Sequence, residues 1–538
     1  MVRRSFRLPV KARGHGLVAS IVMLAVMTIS FSALRPLFAE EPATFSIRAF
    51  IVEGNTLLSP KAIKDALMPF RGPGKTPEDV EKARSVLEKL YHDAGYPAVL
   101  VNIPEQTTEG GKIRLQVVES TIGSVKVTGN RWFTGESILR DLPSLAPGKI
   151  LYVPDVQRDL ALVNRGEDLK VSPLLSPGKE MGTTDVELKV EDILPLHGSM
   201  EISNQNTPNT TDLRLNVSLH YDNLWQRDHS ISAQFQTSPQ NTGEVRLYAL
   251  SYTLPAPWAS DQQIAVYGLR SDTNTTVFGQ GLLVTGKGEI VGSRYVIPLA
   301  PYHTYAHNLT LGVDFKDFEQ TTGFTQGEGL KTPVKYLPFL VSYNSALPDS
   351  LGSTRFSSGL NTVFRGLITE ESNFEINRDN ARGNYVYLTA GVERNVTLPA
   401  GFGAYLKADG QVSDQPLIPN EQYTAGGMTN VRGFEEASVL GDNALHLTAE
   451  ASAPDLGPRL SRNLKLTPFA FYDIARLTIQ SPLPSQTDTF RLQGTGVGVR
   501  GNYTKYFSYE LDYACPLSVT RATEKFTQRL YFKVGAEF

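Results

Sequence analysis

The last ten residues, RLYFKVGAEF (529–538), decide the fold class. Leu530, Phe532, Val534, Ala536 and Phe538 share one phase of an extended chain, and Arg529, Lys533 and Glu537 share the other. Such alternation marks a strand with an apolar face and a polar one. Two architectures use it. A large soluble sheet protein hides the apolar phase in a core, whereas a transmembrane β-barrel turns it to lipid around a wet interior. The ten-residue length favours the second, since a tilted strand crosses a bilayer in roughly 9–11 residues.

The same pattern runs back to about residue 193. In LRLNVSLHYD (213–222), Leu213, Leu215, Val217, Leu219 and Tyr221 alternate with polar residues. HNLTLGVDF (307–315) and YVYLTAGVE (385–393) continue it, and SPQNTGE, PAPWASD and ALPDSLGS punctuate it as turns. Sixteen strands in segment 193–538 use about 21–22 residues each with their connections, a workable spacing for tilted strands and unequal loops. The fold expected is a transmembrane antiparallel β-barrel of about 16 strands.

Upstream the periodicity is mixed. In FSIRAFIVEGNTLLSPKAIKDAL (45–67), Phe45, Ile47, Ala49 and Ile51 fall on one strand phase, GN turns the chain, and Ser59-Pro60 opens a helix. A second helix is expected over 76–96. Thr76 caps it, Pro77 sits first, Gly95 ends it, and Val80, Ala83, Val86, Leu87 and Leu90 form its apolar face. Strands PAVLVNIPE and KIRLQVVES follow. IGSVKVTGNRWFTGESIL (122–139) then repeats the opening, with GN at 129–130 echoing GN at 54–55, and TDVELKVED (184–192) closes the second copy. Two β-α-α-β-β copies are two small α/β domains in tandem. RGPGKT (71–76) is no phosphate loop: Pro69 stands where the first glycine belongs, and the segment reads as a loop between helices.

The first 39 residues read as a signal peptide. Arg3, Arg4, Arg7, Lys11 and Arg13 precede an uncharged run at 17–34, and cleavage after Ala39 fits the small residue before EE. An uncleaved anchor is the competing reading, and RRSF (3–6) loosely suggests a twin-arginine signal. A net charge of −3 gives no reason to expect a nucleic-acid partner, and the lone Cys515 excludes an intrachain disulfide.

One residue stands apart from this pattern. GGMTNVRGFEE (426–436) carries Arg432 between apolar residues and glycines, inside the long inter-strand segment 417–440. A guanidinium stays charged at any usable pH. In LTPFAFYDIARL (466–477), Phe469, Phe471 and Asp473 share one strand phase. If that phase faces the lumen, Asp473 can grip Arg432 through two parallel hydrogen bonds. The plainer reading is a surface turn with a solvated arginine.

Several of these motifs together resemble a known family. VRGF (431–434) after QYTAGG, the FxFxD strand some forty residues later, SYTLPAP (251–257), YVIPLAP (295–301) and GVGVRGNYTKYFSYELDYACPL (496–517) are similar to the outer-membrane transporters of two-partner secretion. These are the haemolysin-activator (ShlB/FhaC/HecB-type) proteins, related to BamA-type assembly factors. The two repeats resemble POTRA domains, and the terminal strand, with Leu530, Phe532 and Phe538, resembles the C-terminal assembly signal of bacterial outer-membrane barrels. The resemblance implies a signal peptide at 1–39, POTRA-like domains at 40–120 and 121–192, and a barrel at 193–538. It places Val431, Arg432, Gly433 and Phe434 at the tip of an extracellular loop folded into the barrel, with Arg432 paired to Asp473 beside Phe471 and Phe469. It further implies an outer-membrane location, periplasmic POTRA domains receiving an unfolded exoprotein on a strand edge, the barrel-assembly machinery as a partner in biogenesis, and outer-membrane lipid around the barrel. Two departures from the family pattern are an N-terminal plug helix, for which about five residues leave no room, and Ala475 where a glycine usually follows the strand aspartate by two positions.

The function expected is secretion of a large partner exoprotein, with no cofactor and no nucleotide hydrolysis. A BamA/TamA-like factor that assembles other barrels is the alternative, but such relatives tend to carry more POTRA repeats. An enzyme is not expected. There is no GxSxG elbow, and His303 and His307 of HTYAH, taken as strand residues, stand some 13 Å apart, too far to share a metal.

Overall fold

The computed structural model describes residues 44–538 except 108, 209, 273–275, 280, 281, 286, 323–329, 369, 370, 485, 521 and 522. The expected signal peptide lies outside the described residues, as does most of the short segment on which the plug-helix expectation rests. Two compact units divide the chain. One holds the described residues up to Ser124 with Pro147–Val156 and Ser176–Asp185; the other holds Val125–Ala146, Gln157–Leu175 and Val186–Phe538.

In the first repeat, strand Ala49–Glu53 runs parallel to Lys112–Glu119, which pairs antiparallel with Val99–Asn102. Helices Pro60–Leu67 and Pro77–Asp93 cover this sheet. Ser59 caps the first; Thr76 and Asp79 form a reciprocal capping box on the second. Ile63, Leu67, Ala83, Leu87, Tyr91, Leu115 and Val117 make the core.

Three sequence expectations are corrected here. Phe45–Ile47 and Ala49–Glu53 are separate strands in separate sheets, so the apolar phase switches: Phe50 and Val52 pack on the core while Ile51 is exposed. Gly72–Lys75 of RGPGKT is a short strand paired with Phe45–Ile47, not a loop. On the second helix Val86 faces solvent, and Tyr91 takes the buried place instead.

The repeated GN has a physical cause. Gly54 and Gly129 adopt φ of 82° and 89°, and a Cβ on either would lie 2.4 Å from a carbonyl oxygen, that of Val117 or Val190. Only glycine fits so close to the closing strand. Each following asparagine donates to the backbone three residues on, Asn55 to Leu58 and Asn130 to Phe133. Glu119 and Asp192, at the ends of the closing strands, accept from the amides just after each GN. The second repeat's sheet orders Thr121–Thr128, Thr183–Asp192 and Leu169–Pro177.

From Leu196 the chain forms a closed antiparallel barrel. It has sixteen strands when Leu330–Tyr336 and Pro338–Asp349, separated only by Leu337, are taken as one. The apolar phases point outward: Leu219, Leu250, Leu406, Leu445, Val497 and Leu530 are 48–56% exposed, as a lipid-facing belt requires. The last strand, Arg529–Glu537, closes on the first, Leu196–Ser203, through five register pairs, whereas Leu464–Thr478 and Thr489–Tyr503 pair over fifteen. Side chain and backbone of Asn204 lengthen the short seam by bonding Phe532 and Leu530. Phe538 exchanges backbone hydrogen bonds with Gly198, and its ring occupies the place of the missing Cβ.

Replacing Phe538 with Ala removes the ring packed on Gly198 at the shortest pairing of the barrel. The expected outcome is a several-fold drop in heat-modifiable barrel in outer-membrane fractions; an unchanged level would show that this packing is dispensable.

Candidate functional site

The segment between strands Gly403–Ser413 and Asn443–Ser452 turns back into the barrel. Its arms pair as a short hairpin, Tyr423–Ala425 with Val439–Gly441. Val431 and Phe434 are fully buried, packed on Ala475, Leu477 and Leu492 of the wall.

Arg432 is 4% exposed and lies against three wall carboxylates. Its Nε donates to Asp473 Oδ2 at 2.7 Å and its Nη2 to Oδ1 at 2.8 Å, a two-pronged grip, while its backbone N–H adds a third bond at 3.1 Å. Nη1 donates to Glu450 Oε1 at 2.6 Å. The guanidinium carbon stands 3.5 Å from the centre of the Phe471 ring, so charge and ring face attract. A second stack lies beside it: Arg500 covers Phe469 at 4.3 Å and donates to the other oxygen of Glu450 at 2.6 Å. Glu450 therefore bridges two arginines, each seated on a phenylalanine. Asp512 completes the ring of carboxylates, with Oδ2 3.8 Å from Arg432 Nη1.

Close approach needs a wall without side chains at that point. On Thr489–Tyr503, Gly494, Gly496 and Gly498 recur at every second residue and face inward. A Cβ on Gly494 would lie 1.8 Å from Arg432 O, on Gly496 2.6 Å from the Phe471 ring, and on Gly498 2.4 Å from the Phe469 ring. The glycines form the slot that receives the loop tip and both rings. Tyr531 of the last strand accepts from Gly433 N–H at 2.8 Å and donates to Phe434 O at 2.5 Å.

The loop is also held near its base. Buried Glu421 accepts from Lys316 Nζ and Tyr336 Oη, both at 2.6 Å, and from Tyr387 Oη at 2.8 Å. Buried Asp442 accepts from Arg378 at 2.5 and 2.6 Å, and from the N–H groups of Leu417 and Gln480. Arg378 follows helix Glu371–Asn377, whose Phe374 packs with Tyr336, Tyr385, Leu417 and Ile418 in an apolar cluster inside the barrel. A second loop thus joins the VRGF loop within the barrel.

All four loop-tip residues and Asp473, Phe471 and Phe469 come together. Leu530, Phe532 and Phe538 lie elsewhere, on the terminal strand and at its end. Sequence reasoning missed Glu450, Arg500, Asp512, Tyr531, Glu421 and Asp442. Glu450 carried a signal, since His446, Thr448 and Glu450 form the polar phase of NALHLTAEAS. HTYAH runs from a turn, closed by Tyr302 and Tyr305, into the strand Ala306–Thr322, so His303 lies in the turn and His307 in the strand, with its ring engaged by Ala300 O and Tyr343 Oη. The strand spacing used for that pair does not apply.

Comparison with known proteins gives concordant matches. Residues 45–120 match the ShlB-type POTRA domain family, and residues 356–501 match the haemolysin secretion/activation protein family ShlB/FhaC/HecB. The outer membrane transporter CdiB-2 of Burkholderia pseudomallei is 30% identical over 78% of this chain and 70% of its own length. The outer membrane transporter CdiB of Escherichia coli O6 is 24% identical over 80% of this chain and 72% of its own. Among solved structures, CdiB from Escherichia coli superposes with a TM-score of 0.68 at 19% identity, covering 94% of this chain and 93% of that one. BamA from Haemophilus ducreyi lacking POTRA domains 1–3 superposes at 0.58 with 14% identity, over 92% of this chain and all of that truncated one, a likeness of fold alone.

Gly494→Ala is expected to unseat the loop tip without touching any charge, because the added carbon overlaps the Arg432 carbonyl. Single-channel recordings in planar bilayers should then show larger or more frequent openings than the parent protein. Identical conductance would mean that the tip is not seated against this strand.

Proposed function

The chain belongs to the ShlB/FhaC/HecB family of two-partner-secretion outer-membrane transporters, and we propose that the buried Arg432 cluster is the part of its machinery that holds the VRGF loop in the export path. The barrel stands in the outer membrane and carries a secreted exoprotein outward, with POTRA domains on the periplasmic side. The observation that carries the loop reading is the double grip of Arg432 on Asp473 and Glu450 at 4% exposure. Removing one partner of a buried pair commonly costs about 3–5 kcal/mol, because the other charge is left without compensation. Such a contact is strong enough to fix the loop and local enough to be undone when cargo displaces it. The cluster holds the loop in one place, and cargo passage requires the loop to yield or to share the lumen. Outward bias comes from folding of the cargo outside. No step needs a nucleotide, and the chain acts as a conduit rather than as an enzyme. Lipid meets the outward apolar phases, and the barrel-assembly machinery inserts the chain through its terminal strand.

For cargo reception, the two repeats offer unequal edges. Val99–Asn102 is covered by its neighbouring helix: Glu88 accepts from Val101 N–H at 3.0 Å, Arg84 donates to Val101 O at 3.2 Å, and His92 meets Val99 O at 3.0 Å. Leu169–Pro177 is an edge strand whose Pro173 and Pro177 supply no amide donors. Leu174 and Leu175 on it are 50% and 43% exposed. An extended apolar segment of the unfolded exoprotein binds there more through side chains than through a full backbone ladder.

Arg432→Ala should leave a heat-modifiable barrel in the outer membrane but stop export, as read by blotting the medium for the partner. Asp473→Ala should do the same, and the double variant should be no worse than either, the mark of coupled residues. Normal export in Arg432→Ala would sink the proposed role. Leu174→Glu with Leu175→Glu should reduce cross-linking of the exoprotein's N-terminal region to the second repeat by tenfold or more while leaving barrel levels unchanged; undiminished cross-linking would move cargo reception elsewhere.

A further inference from the structure

A second cluster, remote in sequence from the VRGF loop, has the composition of a metal site. His197 on the first barrel strand and His220 on the second, Arg214–Leu224, are direct register partners. Both belong to the polar phase of their strands, and their rings stack with centroids 4.7 Å apart. His220 Nε2 lies 3.6 Å from Asp222 Oδ2. One donor atom from each of His197, His220 and Asp222 can be chosen so that all lie within 4.8 Å of one another. Asp222 N–H donates to Pro195 O, which ties the second strand to the chain entering the first.

A fourth group points to a ligand independently. Asp168, immediately before the edge strand Leu169–Pro177 of the second repeat, is 7% exposed. Its Oδ1 lies 2.8 Å from His197 Nε2, yet the contact is not aligned as a hydrogen bond, and this buried oxygen has no donor among the described residues. A buried carboxylate oxygen without a donor is costly. A cation between the carboxylates and imidazoles removes that cost.

The donor chemistry selects the cation. Imidazole nitrogen suits zinc and its transition-metal neighbours and disfavours calcium and magnesium, which take oxygen. Two neutral imidazoles with two carboxylates carry a charge of −2, matching a divalent ion. Tetrahedral zinc with bonds of about 2.0–2.1 Å needs its donors about 3.3–3.4 Å apart. Two donor pairs, at 2.8 and 3.6 Å, bracket that separation. His197, His220 and Asp222 already gather within 4.8 Å of one another, and Asp168 joins them by side-chain rotation from its contact with His197. We infer that His197, His220, Asp222 and Asp168 form a binding site for one divalent transition-metal ion of the zinc class, which fastens the second repeat to the first two barrel strands at the end where the chain enters the barrel.

The test uses the full chain in detergent, stripped with EDTA and titrated with ZnCl2, with heat-modifiability as the check on folding. The parent should bind one equivalent, and excess MgCl2 should not displace it. His197→Ala and His220→Ala should each weaken the Kd at least tenfold, and Asp168→Asn, which keeps the side-chain volume, should weaken it measurably even if a histidine variant fails to fold. His303→Ala with His307→Ala should leave the Kd unchanged. Zinc uptake undiminished in the folded His197 and His220 variants and in Asp168→Asn, or lost with His303 and His307, overturns the inference.

Discussion

A guanidinium with almost no access to water is the constraint around which the inside of this barrel is arranged. It cannot be neutralised by losing its proton, so the wall must supply negative charge at fixed positions. Asp473 supplies it in a two-pronged geometry, Glu450 adds a third contact and shares itself with Arg500, and both arginines lie on phenylalanine faces. Each part needs the next. The rings need a wall without side chains, which Gly496 and Gly498 provide, and the loop backbone needs Gly494. Five consecutive strands, from Asn443–Ser452 to Arg529–Glu537, contribute to this one site.

The arrangement is suited to a transport path because its strength is electrostatic and local. A loop held mainly by apolar packing yields gradually. One held by a buried ion cluster has a defined seated state, and leaving it exposes several charges at once. The base of the loop is fixed separately from its tip, through Glu421 and Asp442. Arg378 and Phe374 bring a second loop into the same assembly, which shares the work of filling the barrel.

The wall around this site is uneven. Closure between first and last strands rests on five pairs, extended by Asn204 and by Phe538 against Gly198, while strands facing the loop tip pair over as many as fifteen. The long strands serve as a rigid backing for the ion cluster. The short seam lies next to the strand that carries Tyr531, so the loop tip and the seam share a strand.

Much of this was legible in the chain itself. Alternation of period two in RLYFKVGAEF and its predecessors sorted the side chains onto two faces, because a strand has only two, and the ten-residue length favoured a bilayer around the apolar one. The GN pairs and the matching closing strands announced two repeats, and the pairs recur because a positive φ beside a carbonyl admits only glycine. Asp473 could be placed in the lumen by phase, and Arg432 singled out by its odd surroundings. Phase could not say that Glu450, Asp512 and Arg500 stand at the same height as Asp473, since height depends on the register between strands, and register is set by pairing across the sheet. Nor could it show that strand 45–53 breaks at Arg48 to serve two sheets, or that Asp168 meets His197 from a different domain of the pattern. Sequence alone determined which face each residue takes; only the closed barrel decided which residues on that face meet, because long-range pairing brings together groups that local periodicity keeps independent.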